Sequence, residues 1–180
     1  SVLDLLRADH SFVNERLALH YGLPNVQGSR FRQVTLTDPN RWGLLGKPGI
    51  HLITSYPNRT SPVLRGAWIL EHLTGTPPAQ PPPNVEAFPE TEQGAPAETV
   101  RARLEAHRTS PSCSGCHAVL DPLGFALENF DAVGAWRDRD LDAGDPIDAA
   151  GVLADGTPVS SARELSEALR ARPDFLVQTL

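Results

Sequence analysis

The sequence predicts a mainly α-helical fold with long proline-rich loops and a small β hairpin. Three observations support this class. Several segments repeat apolar residues at helical spacing. The 17 prolines and 14 glycines among 180 residues require many loops. Near the C-terminus, two short apolar runs flank Asp155-Gly156, a dipeptide typical of a tight hairpin turn.

The first half of the chain, residues 1–89, is predicted to form an N-terminal helical lobe. Its first helix covers residues 1–20, where apolar side chains follow helical spacing, and Gly22 and Pro24 would end it. Residues 31–36 alternate apolar and polar side chains, which predicts one short strand.

Two further helices are predicted in this lobe. One covers residues 48–54, with a proline in its first turn, and the other covers residues 63–73, after the helix-starting pair Ser61-Pro62. Residues 76–89 are rich in proline and predict an extended strap across the surface. This strap is the predicted boundary to a C-terminal domain, residues 90–180.

The C-terminal domain is predicted to be helical, with the hairpin near its end. Residues 121–124, Asp-Pro-Leu-Gly, are expected to break a helix because proline and glycine disfavour helix interiors. The helices are predicted at residues 98–108, 113–120, 125–130 and 161–170, and the hairpin at residues 147–159.

Charge is distributed unevenly between the two halves. Residues 1–89 carry eight basic and six acidic side chains, whereas residues 90–180 carry eight basic and sixteen acidic ones. The acidic half is more simply a solvated surface, but it could also attract a basic redox partner. Nucleic-acid binding is disfavoured because no basic patch offsets the acidity. No apolar run reaches the roughly 20 residues of a membrane span.

The only two cysteines form the motif Cys113-Ser114-Gly115-Cys116-His117. This C-x-x-C-H spacing is typical of covalent haem c, in which two thiols bind the haem vinyl groups and the adjacent histidine binds the iron. His117 is therefore the predicted proximal ligand. A redox disulfide, or half of a metal site, is the alternative interpretation of the cysteine pair.

The surroundings of the motif indicate further haem contacts. Phe125, among the apolar residues that follow the motif, could cover a haem face, and Arg108 could pair with a haem propionate. Residues 98–136 are then expected to form a cytochrome c-like helical core.

The sixth ligand of the haem iron cannot be a methionine of this chain, because the chain contains no methionine. His/Met ligation within the chain is therefore excluded. His107 is a possible distal ligand; His20 and His51 are other candidates, and an open position would permit peroxide or oxygen chemistry. Residues 138–145 resemble a calcium loop but depart from the EF-hand pattern, so a solvated acidic loop is the preferred interpretation.

Long blocks of the sequence resemble the adjacent domains of unknown function in large exported, planctomycete-type cytochrome proteins. Those blocks lie within residues 14–22, 55–66, 75–85, 107–117, 121–131 and 147–151. The resemblance implies an excised C-terminal part of a multidomain protein, with a periplasmic or extracellular location. It also implies that upstream domains of the same polypeptide, or a separate redox protein, are its partners.

The leading hypothesis is a c-type cytochrome domain with covalent haem that transfers electrons. An enzyme remains an alternative: a haem-dependent oxidoreductase of the peroxidase or oxygenase kind. A third hypothesis is a structural module in which Cys113 and Cys116 form a disulfide or bind a metal.

Overall fold

The computed structural model describes residues 1–79, 97–109 and 111–173. Within them the chain forms six α-helices and two separate two-stranded antiparallel sheets. The prediction of a mainly α fold with a small β hairpin is confirmed. The predicted domain boundary near residue 89, and most of the proline-rich strap, lie outside the described residues.

The predicted helix over residues 1–20 is wrong. The chain forms three short elements there: a 3-10 helix at Val2–Leu6, strand β1 at His10–Val13 and helix α1 at Glu15–His20. The helical spacing of the apolar residues is therefore not continuous through this segment.

Two interactions explain why this segment divides. Asn14 caps α1, because its side-chain oxygen accepts a hydrogen bond from the backbone N–H of Leu17 at 3.0 Å. Strand β1 pairs with β2, Arg32–Thr35, in the register that sets His10 opposite Thr35. The strand predicted at residues 31–36 thus supplies a partner that helical spacing alone does not reveal.

The next helices follow the predictions closely. After 3-10 turns at Pro39–Arg41 and Leu44–Gly46, α2 covers Pro48–Ile53 and α3 covers Pro62–His72. Ser61 caps α3, because its hydroxyl accepts a hydrogen bond from the Leu64 N–H, and Pro62 occupies the first turn, where no intrahelical N–H is needed.

Helix α4 covers Val100–His107, as expected, and the helix predicted at residues 113–120 forms as part of a longer one, but the break predicted after it is wrong. A single helix, α5, covers Pro111–Phe125 and continues through Pro122. The expected break at residues 121–124 does not occur, and residues 126–129 form turns instead of the helix predicted at 125–130.

Close packing of α5 against α3 explains how the helix accommodates proline and glycine. A methyl group added at Gly124 would meet the Pro62 carbonyl oxygen at 2.0 Å, and one at Gly66 would meet the Leu120 carbonyl oxygen at 2.2 Å. The two glycines let the helix backbones touch, and the packing that results offsets the helical hydrogen bond lost at Pro122.

The C-terminal elements match the predictions. Strands β3, Gly151–Val152, and β4, Pro158–Val159, form the hairpin, and Gly156 has the positive φ that its turn requires. Ser161 caps the last helix, α6, at Ala162–Arg170.

The main hydrophobic core joins α3, α5 and α6 with residues from the 3-10 turns near the N-terminus. Its most deeply buried members are Leu45, Ile69, Leu127, Phe130 and Leu165. A second, smaller cluster joins Val100 and Leu104 of α4 to Phe125 of α5. It fixes α4 against the helix that carries both cysteines.

Candidate functional site

The first turns of α5 bring the three motif residues to one side of the helix. Cys113, Cys116 and His117 are spaced by three and four residues, and such side chains are neighbours on a helix surface. Cys113 is half-buried, whereas Cys116 is exposed and is not joined in a disulfide. His117 is mostly buried, with 15 % of its side chain exposed.

One turn further along α5, Asp121 fixes the orientation of His117. The His117 Nδ1 atom lies 2.9 Å from the Asp121 Oδ1 atom, and the Asp121 side chain has no exposed surface. A carboxylate oxygen accepts, so Nδ1 is the nitrogen that carries the proton. Nε2 then keeps its lone pair, which is the tautomer a histidine needs to bind a metal through Nε2.

Arg108 lies behind this pair, at the end of α4. Its guanidinium Nη1 atom is 3.7 Å from Asp121 Oδ2, and its Nη2 atom is 3.5 Å from a carboxylate oxygen of Glu105. Burial raises the pKa of Asp121, while the His117 hydrogen bond and the charge of Arg108 act in the opposite direction. The predicted role of Arg108 at a haem propionate stays a prediction; the structure pairs its side chain with carboxylates.

His107, the last residue of α4, lies against His117. The two ring centroids are 5.5 Å apart and the rings meet edge to face. The other candidate ligands lie elsewhere: His51 is fully buried and stacks on Phe130, and His20 lies beside Tyr21 at the end of α1. Of the histidines proposed for the sixth position, His107 is the one brought to His117.

Phe125 is enclosed between α4 and α5. It is 1 % exposed, packs with Val100 and Leu104, and has the Arg101 guanidinium carbon 3.9 Å from its ring centroid. Phe125 follows Asp121 by one helical turn, and both side chains are buried. Whether Phe125 also touches a haem stays a prediction.

Asp121 is the site residue that the sequence reasoning missed, because residues 121–124 were interpreted as a helix break. The i,i+4 spacing from His117 to Asp121 is the signal that could have found it, since these positions face each other on a continuous helix. Close packing of α3 against α5 at Gly66 and Gly124 supports the continuation of this helix.

The donor set fits a covalent haem. The motif offers an exposed thiol at Cys116, a second thiol one helical turn before it, and an imidazole whose Nδ1 proton is committed to Asp121. Cys113, Cys116 and His117 would hold the group, and haem iron would supply one-electron chemistry when bound.

The acidic segment at residues 138–145 contains a buried carboxylate that bonds to its own backbone turn. Asp140 is 7 % exposed, and its Oδ1 atom accepts hydrogen bonds from the backbone N–H groups of Asp142 and Ala143, both at 3.0 Å. This carboxylate stabilises its own turn. Within residues 1–79, 97–109 and 111–173, no group of three or more histidine, cysteine or acidic side chains is gathered as a metal site.

Among the helices that the structure describes, none has the length and apolarity to cross a membrane.

Comparison with known proteins gives one family match. Residues 41–140 match the model of the family described as PSCyt3, a protein of unknown function (DUF1588). This range is more than half of the chain and includes the cysteine motif, His107 and Asp121. No curated protein matches, and no solved structure matches. The chain therefore belongs to the PSCyt3 family, a planctomycete cytochrome-associated domain of unknown function, as its sequence blocks predicted.

Proposed function

We propose that this domain carries a covalently attached haem c and transfers electrons within an exported multidomain redox protein. The observation that carries the proposal is the 2.9 Å contact between His117 Nδ1 and Asp121 Oδ1. Metal-binding histidines characteristically donate their other ring N–H to a carboxylate or a carbonyl, which fixes the tautomer and the ring orientation. The contact occurs at the histidine of a C-x-x-C-H motif, where an iron ligand is needed.

The other residues of the candidate site can each be given a role in an electron carrier. Cys113 and Cys116 would form the two thioether bonds and His117 would be the proximal ligand. His107 is the proposed sixth ligand, because α4 ends with its ring against His117. The acidic C-terminal half would favour a basic partner surface, whether on upstream domains or on a separate redox protein.

The test is to produce the full chain, with an export signal, in a bacterial host that matures c-type cytochromes. We expect an intact mass increased by one haem that acid-acetone extraction does not remove. The variant Cys113→Ala/Cys116→Ala is the matched control and should show no covalent haem. A wild-type chain that emerges from this host without haem, while a co-expressed cytochrome c is matured, would overturn the proposal.

The sixth position separates electron transfer from the enzyme alternative. We expect a low-spin ferric spectrum that is insensitive to cyanide, because His107 would occupy the position opposite His117. His107→Ala should convert the iron to a high-spin, cyanide-binding form, whereas His72→Ala, at an exposed histidine of α3, should not. A wild-type protein that is already high-spin and binds cyanide would favour the haem-dependent oxidoreductase instead.

A further inference from the structure

We infer that Asp121 is a positioning residue that lowers the reduction potential of the iron by strengthening His117 as an electron donor. The inference rests on the proposed function, since it concerns a ligand to a haem. It follows from the contacts of Asp121 on each of its two oxygens, and from the burial of its side chain.

The first step concerns the oxygen that faces the histidine. Asp121 Oδ1 accepts the Nδ1 proton of His117 at 2.9 Å, a normal distance for an N–H···O hydrogen bond. A carboxylate partner raises the basicity of the imidazole. A more basic imidazole donates more electron density to a metal, and this stabilises the ferric state over the ferrous state.

The second step concerns burial. The Asp121 side chain has no exposed surface, and Phe125 and Leu120, on either side of it in α5, are 1 % and 4 % exposed. Little solvent can screen a carboxylate in such surroundings, so its charge acts on His117 at a low local dielectric. An exposed carboxylate at the same distance would have a much weaker effect.

The third step concerns the oxygen that faces away. Asp121 Oδ2 is buried and has no hydrogen-bond partner among the described residues, and it lies 3.7 Å from the guanidinium of Arg108. Arg108 is 35 % exposed and is shared with Glu105, so it offsets the carboxylate charge only in part. The carboxylate therefore keeps one strong, short interaction, and that interaction is with His117.

The test compares two acid-to-amide substitutions in the haem-loaded full chain. Asp121→Asn removes the charge that touches His117. Glu105→Gln is the matched control, because in the described part of the chain Glu105 forms its ion pairs with Arg101 and Arg108 and not with His117. We expect Asp121→Asn to shift the ferric-to-ferrous equilibrium at least tenfold toward the ferrous form. This shift corresponds to a rise of about 59 mV in the one-electron reduction potential of the iron. Glu105→Gln should shift the equilibrium less than threefold.

A second measurement needs no haem and no variant. In the wild-type apoprotein, ¹⁵N NMR of the His117 ring should show the proton on Nδ1. Equal potentials for the two variants, or a proton on Nε2 in the apoprotein, would each overturn the inference. A chain that takes up no haem but keeps the Nδ1 proton would overturn the proposed function while supporting the positioning of His117 by Asp121.

Discussion

Asp121 and Glu128 are both buried carboxylates, and the contrast between them separates the structural core of the molecule from the candidate site. Glu128 lies just after α5 and is 5 % exposed. Its Oε1 atom accepts a hydrogen bond from Arg65 at 2.9 Å. Its Oε2 atom accepts from the Thr60 hydroxyl at 2.8 Å and from Arg137 at 3.0 Å. Both oxygens of Glu128 thus accept hydrogen bonds, three in all among the described residues.

Among the described residues, Asp121 has a single hydrogen-bonded oxygen, whose partner is the partly exposed His117, while its other oxygen lies 3.7 Å from Arg108. A buried charge that is held by several hydrogen bonds fixes the backbone around it, because any movement would leave a charge unpaired. A buried charge with a single hydrogen bond can instead alter the basicity of its one hydrogen-bonded partner. The comparison therefore predicts a role in stability for the Glu128 cluster, which comprises Glu128, Thr60, Arg65 and Arg137, and a role in the candidate site for Asp121.

The largest expected effect on stability comes from replacing Arg65, a partner of Glu128. Arg65 is fully buried, and besides Glu128 it donates to the carbonyl oxygens of Leu127 and Asp131. Arg65→Met leaves the Glu128 charge and these carbonyls with fewer partners. We expect the free energy of unfolding to fall by about 3–5 kcal/mol, measured by urea denaturation of the full chain.

The matched control is Arg163→Met, since Arg163 forms an exposed ion pair with Glu167 at 3.0 Å. We expect this variant to change the free energy of unfolding by less than about 0.5 kcal/mol, because exposed ion pairs contribute little. Similar losses for the two variants would contradict the structural role given to the Glu128 cluster.

The second prediction compares the two carboxylates directly. Glu128→Gln leaves Arg65 and Arg137 facing a neutral group, so we expect a loss of about 3 kcal/mol in the free energy of unfolding. Asp121→Asn should cost only about 1 kcal/mol, because its amide oxygen can still accept from His117 and the partly exposed Arg108 can turn to water. Urea denaturation of both variants, without haem, gives the comparison. Equal losses would mean that Asp121 is as structural as Glu128.

The local elements of the fold could be predicted because their signals are local. The pairs Ser61-Pro62 and Asp155-Gly156, and the cap at Ser161, specify a helix start or a turn within a few residues. The failures depend on distant partners. Residues 1–20 divide because β1 pairs with β2, and α5 continues past Pro122 because α3 packs against it.

The candidate site shows the same division. Spacing alone identified Cys113, Cys116 and His117, because the chemistry needs those residue types at those positions. Asp121 was missed, since its role depends on a helix that only tertiary packing keeps intact. The pairing of Glu128 with Arg65 was equally hidden, because the two residues are 63 positions apart in the chain.

The smallest predicted effect on stability concerns His51, a buried histidine that stacks on Phe130 of the main core. Its Nε2 atom lies 2.9 Å from the Leu45 carbonyl oxygen, and its ring stacks on Phe130 with centroids 4.3 Å apart. Burial, and then repulsion by Arg65, lowers the pKa of His51 from 6.5 to about 3. In the unfolded chain the imidazole binds a proton near pH 6.5, so between about pH 6.5 and pH 3 the unfolded state holds more protons.

The contribution of His51 to stability is therefore fully present above about pH 6.5 and is lost as the pH falls toward 3. From pH 6 to pH 5, we expect the wild-type free energy of unfolding to drop by about 1 kcal/mol more than that of His51→Gln, measured by urea denaturation. His72→Gln, which removes an exposed histidine, should keep the wild-type pH dependence. If His51→Gln loses stability with falling pH as steeply as the wild type, then His51 accepts a proton in the folded protein, and burial in the core does not keep this imidazole neutral.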